Sequence, residues 1–369
     1  MENQTNLPKN RLLSLDAYRG VTMFLLMAEA ALVYHALTDY FSEGSLGARI
    51  IHQFHHHPWH GLRFWDLIQP FFMFIVGVAM PFSLQSRLKK GDSWNVAFRH
   101  ILRRCFLLLL FGTGLHCVYS GKMVWELWNV LTQLSFTILV TFLLMRLPVK
   151  VQFAVSMLLL ILTELLYRSY APTDPFIKDQ NFGSWMDLLL MGKINDGGGW
   201  VTVNCLPTAA HTIWGALCGQ LLLTQKTHQE KINQFLMAGG LGLILGYGLD
   251  WSGITPIVKR ISTSSFVLAS GGWALLALAF FYWLVEVKGV KGWTTFFMIV
   301  GSNSIFIYLF AETIGYQWLG GFVKIFTTGV FGTLGVSAGM IGIINGFLVL
   351  ALMWYLCYFL YKHRIFIKI

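Results

Sequence analysis

Apolar residues run along this chain in stretches of about twenty, each closed by glycine, proline or charge, and none keeps the strict alternation of a half-buried strand. A helix needs about 20 mainly apolar residues to cross a hydrocarbon core, and backbone groups in lipid must satisfy one another internally. The pattern therefore predicts an all-α polytopic membrane protein with about ten transmembrane helices, near 16–38, 64–85, 100–119, 124–145, 149–168, 201–224, 233–251, 263–286, 293–313 and 339–361. The stretch 315–337 is apolar but broken by Gly320, Gly321, Gly329, Gly332 and Gly335, and reads as a re-entrant or interfacial segment. Residues 1–369 then form a single transmembrane domain, with 39–63 and 169–200 as long loops on one side.

Composition agrees. Hydrophobic residues make up 56% of the 369 positions and charged residues 12%, against roughly 25% charged in soluble domains. The net charge of +10 raises nucleic acid as a partner. Its carriers, however, sit in short clusters between apolar stretches rather than on one polar face, which points to membrane topology and no nucleic acid. With the N-terminus inside, one side collects Lys9, Arg11 and Arg19, the run from Arg87 to Arg104, Arg146 and Lys150, Lys226 and Lys231, Lys288 and Lys291, and the tail Lys362, Arg364 and Lys368. These are roughly two thirds of the 27 Lys and Arg, so the positive-inside rule predicts both termini in the cytoplasm and 39–63 and 169–200 in the periplasm. An eleventh span would put the basic tail outside.

The polar start and the lack of a small-residue cleavage site predict no removed signal peptide. The five cysteines (Cys105, Cys117, Cys205, Cys218, Cys357) lie in or beside apolar segments without CxxC spacing, as buried small hydrophobes do.

Three groups of residues have chemistry to offer. Asp16 and Arg19 stand three apart at the start of the first helix and can pair, or Arg19 can join Arg103 and Arg104 in a basic mouth for a phosphorylated ligand, since guanidinium groups offer paired donors to phosphate. The loop His52-Gln53-Phe54-His55-His56-His57-Pro58-Trp59-His60-Gly61 precedes Trp65-Asp66. So many imidazoles suggest zinc or copper, but no ligand spacing on a regular element supports a metal. The other use is one histidine as general base or transient acyl acceptor, with Asp66 setting its tautomer. Within the helices, Glu126, Asn129 and Gln133 form a stripe at spacings of three and four that suits a substrate path, as does Asn303. Interhelical hydrogen bonding explains the same residues without any function.

Arg11, Leu12, Ser14, Asp16, Arg19 and Gly20, followed by His56, Trp59, Gly61, Leu62, Asp66, Leu67, Pro70, Phe72, Phe74, Ile75 and Gly77, form a string similar to one in the heparan-α-glucosaminide N-acetyltransferase family. Val130-Leu131, Gln133-Leu134, Leu206-Pro207-Thr208, the run from Thr263 to Leu268, Gly272 to Leu276 and Asn303-Ser304-Ile305 resemble the same family, in the same order along nearly the whole chain. The resemblance implies a bacterial cytoplasmic-membrane enzyme that takes acetyl from cytosolic acetyl-CoA, without a metal, and delivers it to an amino or hydroxyl group of a periplasmic saccharide. It places the active-site histidine at His56. In one place the sequence departs from the family: Ala30, beside Glu29, stands where an Asn is common. Two rival readings remain, a carrier for a sugar or lipid-linked sugar without chemistry, and an inactive relative with a scaffolding role. The acceptor's identity, N- or O-acetylation, and a homo-oligomeric state are open at this level.

Overall fold

The computed structural model describes residues 12–367 and 369; Lys9, Arg11 and Lys368 of the expected basic set lie outside them. The regular structure of the described residues is helical, and its nearest approach to sheet is an isolated antiparallel bridge between His60 and Val258. In order come α1 (Leu13–Ala30), α2 (Val33–Tyr40), α3 (Leu46–Ile51), α4 (Ile68–Lys89), α5 (Trp94–Ser120), α6 (Val130–Leu144), α7 (Val149–Tyr170) and α8 (Phe182–Met191). Then follow α9 (Cys205–Leu222), α10 (His228–Trp251), α11 (Ser264–Tyr282), α12 (Thr294–Gly301), α13 (Ser304–Phe310), α14 (Gly320–Thr333) and α15 (Ala338–Lys362).

Among the described residues six helices are long and apolar enough to cross a membrane: Phe64–Lys89, Trp94–Ser120, Val149–Tyr170, His228–Trp251, Ser264–Val287 and Ala338–Lys362. Two bent pairs raise the number to eight: α1 with α2, bent by 60°, and Thr294–Gly301 with Ser304–Thr333, bent by 72°. The first bend falls at Leu32, whose φ of 60° ends the regular helix. Ten is reached only by adding α6, which has 15 residues, and α9. Both sit against protein, and α9 buries Thr208, His211 and Thr212, so lipid did not require them to be uniformly apolar. The segment 315–337 is helical through Thr333: a π-helical stretch, Ala311–Leu319, joins α13 to α14.

Small residues let these helices touch. A Cβ at Gly77 of α4 would collide with the backbone oxygen of Thr212, and one at Gly215 of α9 with that of Phe74, so the two backbones pack with nothing between them. α10 and α11 meet likewise through Gly239, Gly246 and Gly272. Without a hydrophobic driving force between helices in lipid, such close van der Waals packing is a main source of association.

At one end of α4 three loops converge. Residues 52–67 pair with the end of α10 and the α10–α11 connection through His60 to Asp250, 2.7 Å, and Gly61 N–H to Ile257 O, 2.9 Å. The α8 region joins through Trp59 Nε1–H to Phe176 O, 3.1 Å, and the Arg260 guanidinium to Gly198 O.

Candidate functional site

Asp66 opens the turn that leads into α4 and is fully buried. A carboxylate out of water costs several kcal/mol unless donors surround it. Here Oδ2 accepts the backbone N–H groups of Arg63 at 3.0 Å and His57 at 3.2 Å, while Oδ1 lies 3.0 Å from His56 Nδ1 and 3.6 Å from Lys259 Nζ. Arg63 Nη1 donates to His56 O at 2.9 Å and fixes the histidine's backbone. Because a carboxylate only accepts, Asp66 favours the His56 proton on Nδ1 with the Nε2 lone pair open, and in that tautomer Lys259, close to the same Nδ1, donates to Asp66 instead of to the ring.

Lys259 Nζ stands 3.1 Å from His56 Nδ1, and both lie against Trp200, the His56 ring at 5.7 Å and the Lys259 ammonium at 5.5 Å from its centroid. Burial and the neighbouring Lys259 charge push the imidazole down to about 4, against the opposing pull of Asp66. His56 is therefore neutral at physiological pH. Burial likewise lowers Lys259 to about 8, with Asp66 and Glu29 resisting.

His56 and Lys259 form one wall of a cavity of about 340 Å³. Trp65, Trp128 and Trp200 give it aromatic surfaces, and Asn129 and Asn195 add polar ones. Two carboxylates, Glu29 from α1 and Glu312 from the π-helical stretch, also line it, and Tyr119 OH donates to Glu312 at 2.7 Å. π-helical turns recur at functional sites, and this one carries Glu312. His116, near the end of α5, completes the lining.

A second cavity, of about 320 Å³, lies toward the other end of α4 and is lined by Arg87, His100, Arg103 and Arg104 together with Ser83 and apolar residues. Arg104 Nε is buried there with no hydrogen-bond partner among the described residues. A buried unpaired donor is costly, and this one lies beside a cavity already rich in positive charge. The nearest α4 linings of the two cavities, Phe72 and Ala79, are seven residues apart, or roughly 10 Å at 1.5 Å per residue.

The residues singled out from sequence thus fall in different places. His56 and Asn129 line the first cavity, with Asp66 buried behind His56, and Arg103 and Arg104 line the second. Gln133 lies behind the first cavity, accepting from Gln69 Nε2 at 2.6 Å. Arg19 is 3.9 Å from Asp16 and does not line the basic cavity. Asn303 binds the C-terminal segment, donating to Ile365 O at 3.0 Å and accepting from Ile367 N–H at 2.8 Å. The expected stripe from Glu126 to Gln133 is not one helical face: α6 begins at Val130 and Asn129 caps it by accepting from Leu131 N–H. Glu126, in the preceding loop, instead receives His116 Nδ1 at 2.6 Å and Lys193 Nζ at 2.5 Å.

Of the other histidines, His55 bonds Thr38 and His60 bonds Asp250, while the His57 ring sits over Gly61. Among the described residues no three His, Cys, Asp or Glu side chains converge as a metal site. Sequence reasoning missed Lys259, His116 and Arg87 as site residues. Lys259 is 203 positions from His56, and no local spacing signals such a partner.

The catalytic-region model of heparan-alpha-glucosaminide N-acetyltransferase matches residues 11–246, a span that holds both cavities' histidines and arginines but not Lys259. The human protein of that name is 25% identical over 380 aligned positions, covering 84% of this chain and 54% of the human protein. The mouse protein is 31% identical over 121 positions, 32% of this chain and 16% of its own length. The chain thus spans about half the length of the human relative. Since the match takes in more than half of the chain and the dyad His56–Asp66 falls within it, the chain belongs to the heparan-alpha-glucosaminide N-acetyltransferase catalytic family.

Proposed function

We propose that this protein is a transmembrane acetyltransferase that takes acetyl from acetyl-CoA on the cytoplasmic side of a bacterial inner membrane. It passes the acetyl to an amino or hydroxyl group of a saccharide on the periplasmic side. The observation that carries the reading is the placement of two unlike cavities along α4: an arginine-lined one suited to phosphates, and a histidine–carboxylate one suited to acyl transfer. CoA is a large polyanion that does not cross lipid, so the two ends must divide the work. Arg87, Arg103 and Arg104 would hold its phosphates through charge-assisted hydrogen bonds. The thioester would reach His56, whose neutral imidazole offers Nε2 as base or acyl acceptor, while Asp66 holds the tautomer. The three tryptophans offer flat apolar surface to a sugar ring, and Glu29, Glu312, Asn129 and Asn195 offer acceptors to its amino and hydroxyl protons.

Purified protein given acetyl-labelled acetyl-CoA and an amino sugar tests this. Label should move to the sugar or to water, and His56→Ala should abolish the movement. Unchanged acetyl-CoA together with sugar transport into proteoliposomes would establish the carrier instead, and neither activity would establish the inactive relative.

A further inference from the structure

The transfer reading leaves a chemical gap at the histidine. A nucleophile that attacks the acetyl group, whether an amine or a hydroxyl, must lose a proton as its new bond forms. If His56 accepts the acetyl on Nε2, that nitrogen is occupied, and Nδ1 is engaged by Asp66 and Lys259. The acyl carrier then cannot also be the base for the second step. Lys259 is a poor substitute, because its ammonium is paired with Asp66 and packed on Trp200.

The same cavity contains a second histidine–carboxylate pair. His116 lines it, and its Nδ1 is 2.6 Å from Glu126 Oε2. Glu126 is in turn anchored by Lys193 Nζ at 2.5 Å on its other oxygen. Burial pushes the Glu126 carboxyl up, but the hydrogen bonds from Lys193 and His116 outweigh it and hold the group below its usual range. The ring rests edge-on to Trp128 at 6.2 Å and Tyr119 at 5.7 Å, which restricts its rotation. By the argument used for His56, the carboxylate fixes the proton on Nδ1 and leaves Nε2 as an acceptor on the cavity side.

We propose that the two dyads divide the reaction: His56 carries the acetyl group, and His116, positioned by Glu126 and Lys193, is the base that takes the acceptor's proton. This rests on the transferase reading. In the first step the His56 Nε2 lone pair attacks the thioester carbonyl, the C–N bond forms, the C–S bond breaks and CoA leaves as thiolate. In the second the acceptor's nitrogen or oxygen attacks the acetyl carbon, the bond to Nε2 breaks and its electron pair returns to His56. The acceptor's proton moves to His116 Nε2 and from there to solvent.

The experiment separates the two steps in purified protein. Exchange of labelled CoA into acetyl-CoA reads the first step alone; acetylation of glucosamine, as the probe acceptor, reads both. His116→Ala should keep exchange within a few-fold of wild type and lose glucosamine acetylation by about 10²–10⁴, the usual contribution of general base catalysis. Added imidazole should restore part of the loss, and hydroxylamine, a nucleophile reactive without a base, should still capture the acetyl group. Glu126→Gln should show the same split with a smaller loss. Wild-type acetylation by His116→Ala would overturn the assignment, as would a parallel loss of exchange and acetylation that imidazole does not restore. Acetylation without exchange in the wild type would overturn the acyl-carrier step and leave the transferase reading standing, whereas neither activity in the wild type would sink both.

Discussion

Asp66→Asn tests the chemistry at His56 most directly, because it keeps the shape of the side chain and changes what it accepts. In the native site Oδ2 takes two backbone N–H groups, from His57 and Arg63, and Oδ1 takes His56 Nδ1–H. An asparagine has one oxygen and one NH₂ to place. The oxygen stays with the two backbone donors, since turning the amide would face NH₂ against both of them, whereas the retained orientation sets it against the single Lys259 Nζ, 3.6 Å from Oδ1. Nδ2 then faces His56 Nδ1 as a donor, the ring answers by accepting there, and its proton moves to Nε2. The lone pair that would attack the acetyl group is gone from the cavity. Where a carboxylate-to-amide change imposes the wrong tautomer on a catalytic histidine, rates fall by about 10⁴, so kcat for acetyl transfer should drop by roughly 10³–10⁴ with little change in the affinity for acetyl-CoA. The substitution also weakens charge-assisted hydrogen bonds worth about 1.5–3 kcal/mol each relative to neutral ones of about 1 kcal/mol. A stability loss of a few kcal/mol in detergent is expected, which thermal unfolding reports separately from rate. A folded Asp66→Asn protein that transfers acetyl at the native rate would refute the argument, because His56 would then act without its Nε2 lone pair or not act at all.

Four further outcomes follow from the same geometry. Burial and, after it, the Lys259 charge hold the His56 pKa down, so Lys259→Met should raise it part of the way from about 4 and move the acid limb of the activity profile to higher pH; an unmoved limb would dissociate that limb from His56. The stability profile has a matching sign: because the folded-state pKa of His56 lies below its unfolded value, its contribution to stability is complete above about pH 6.5 and is lost as pH falls toward 4, a window that should narrow in the same variant. Arg103→Ala with Arg104→Ala should weaken acetyl-CoA binding at least tenfold, as the loss of one charge-assisted hydrogen bond already implies; isothermal titration showing native affinity would reduce these arginines to a topological role. His52→Ala, His55→Ala and His60→Ala should each keep most of the transfer activity in the labelled acetyl-CoA assay. An impermeant thiol reagent should label Lys90→Cys in a cysteine-free background only from the cytoplasmic side, and labelling from outside would invert the orientation.

Sequence alone determined that the chain folds as a set of apolar helices, because in lipid only helices and closed barrels satisfy the backbone, and these stretches lack the alternation of barrel strands. It also determined which loop holds the histidines. The likeness in the string from Arg11 to Gly77 pointed to the family that the comparison with known proteins then showed. Local spacing even brought His56 and Asp66 close, ten residues apart on either side of one turn. Helix ends were less legible: Asn129 looks helical in pattern but caps α6, since a short polar side chain competes with the helix for the backbone it would join. What only the tertiary structure decided was which distant side chains share a cavity. Lys259 reaches His56 because the α10–α11 connection pairs with Gly61. His116 faces the same space because α5 ends beside the loop that carries Glu126. Asn303, polar within an apolar stretch like the residues of the site, ties down the C-terminal segment instead. Periodicity ranks positions by the face they occupy on their own helix, but the partner across a cavity is set by how helices pack, and that depends on small residues such as Gly77 and Gly215 whose contacts no single stretch of sequence contains.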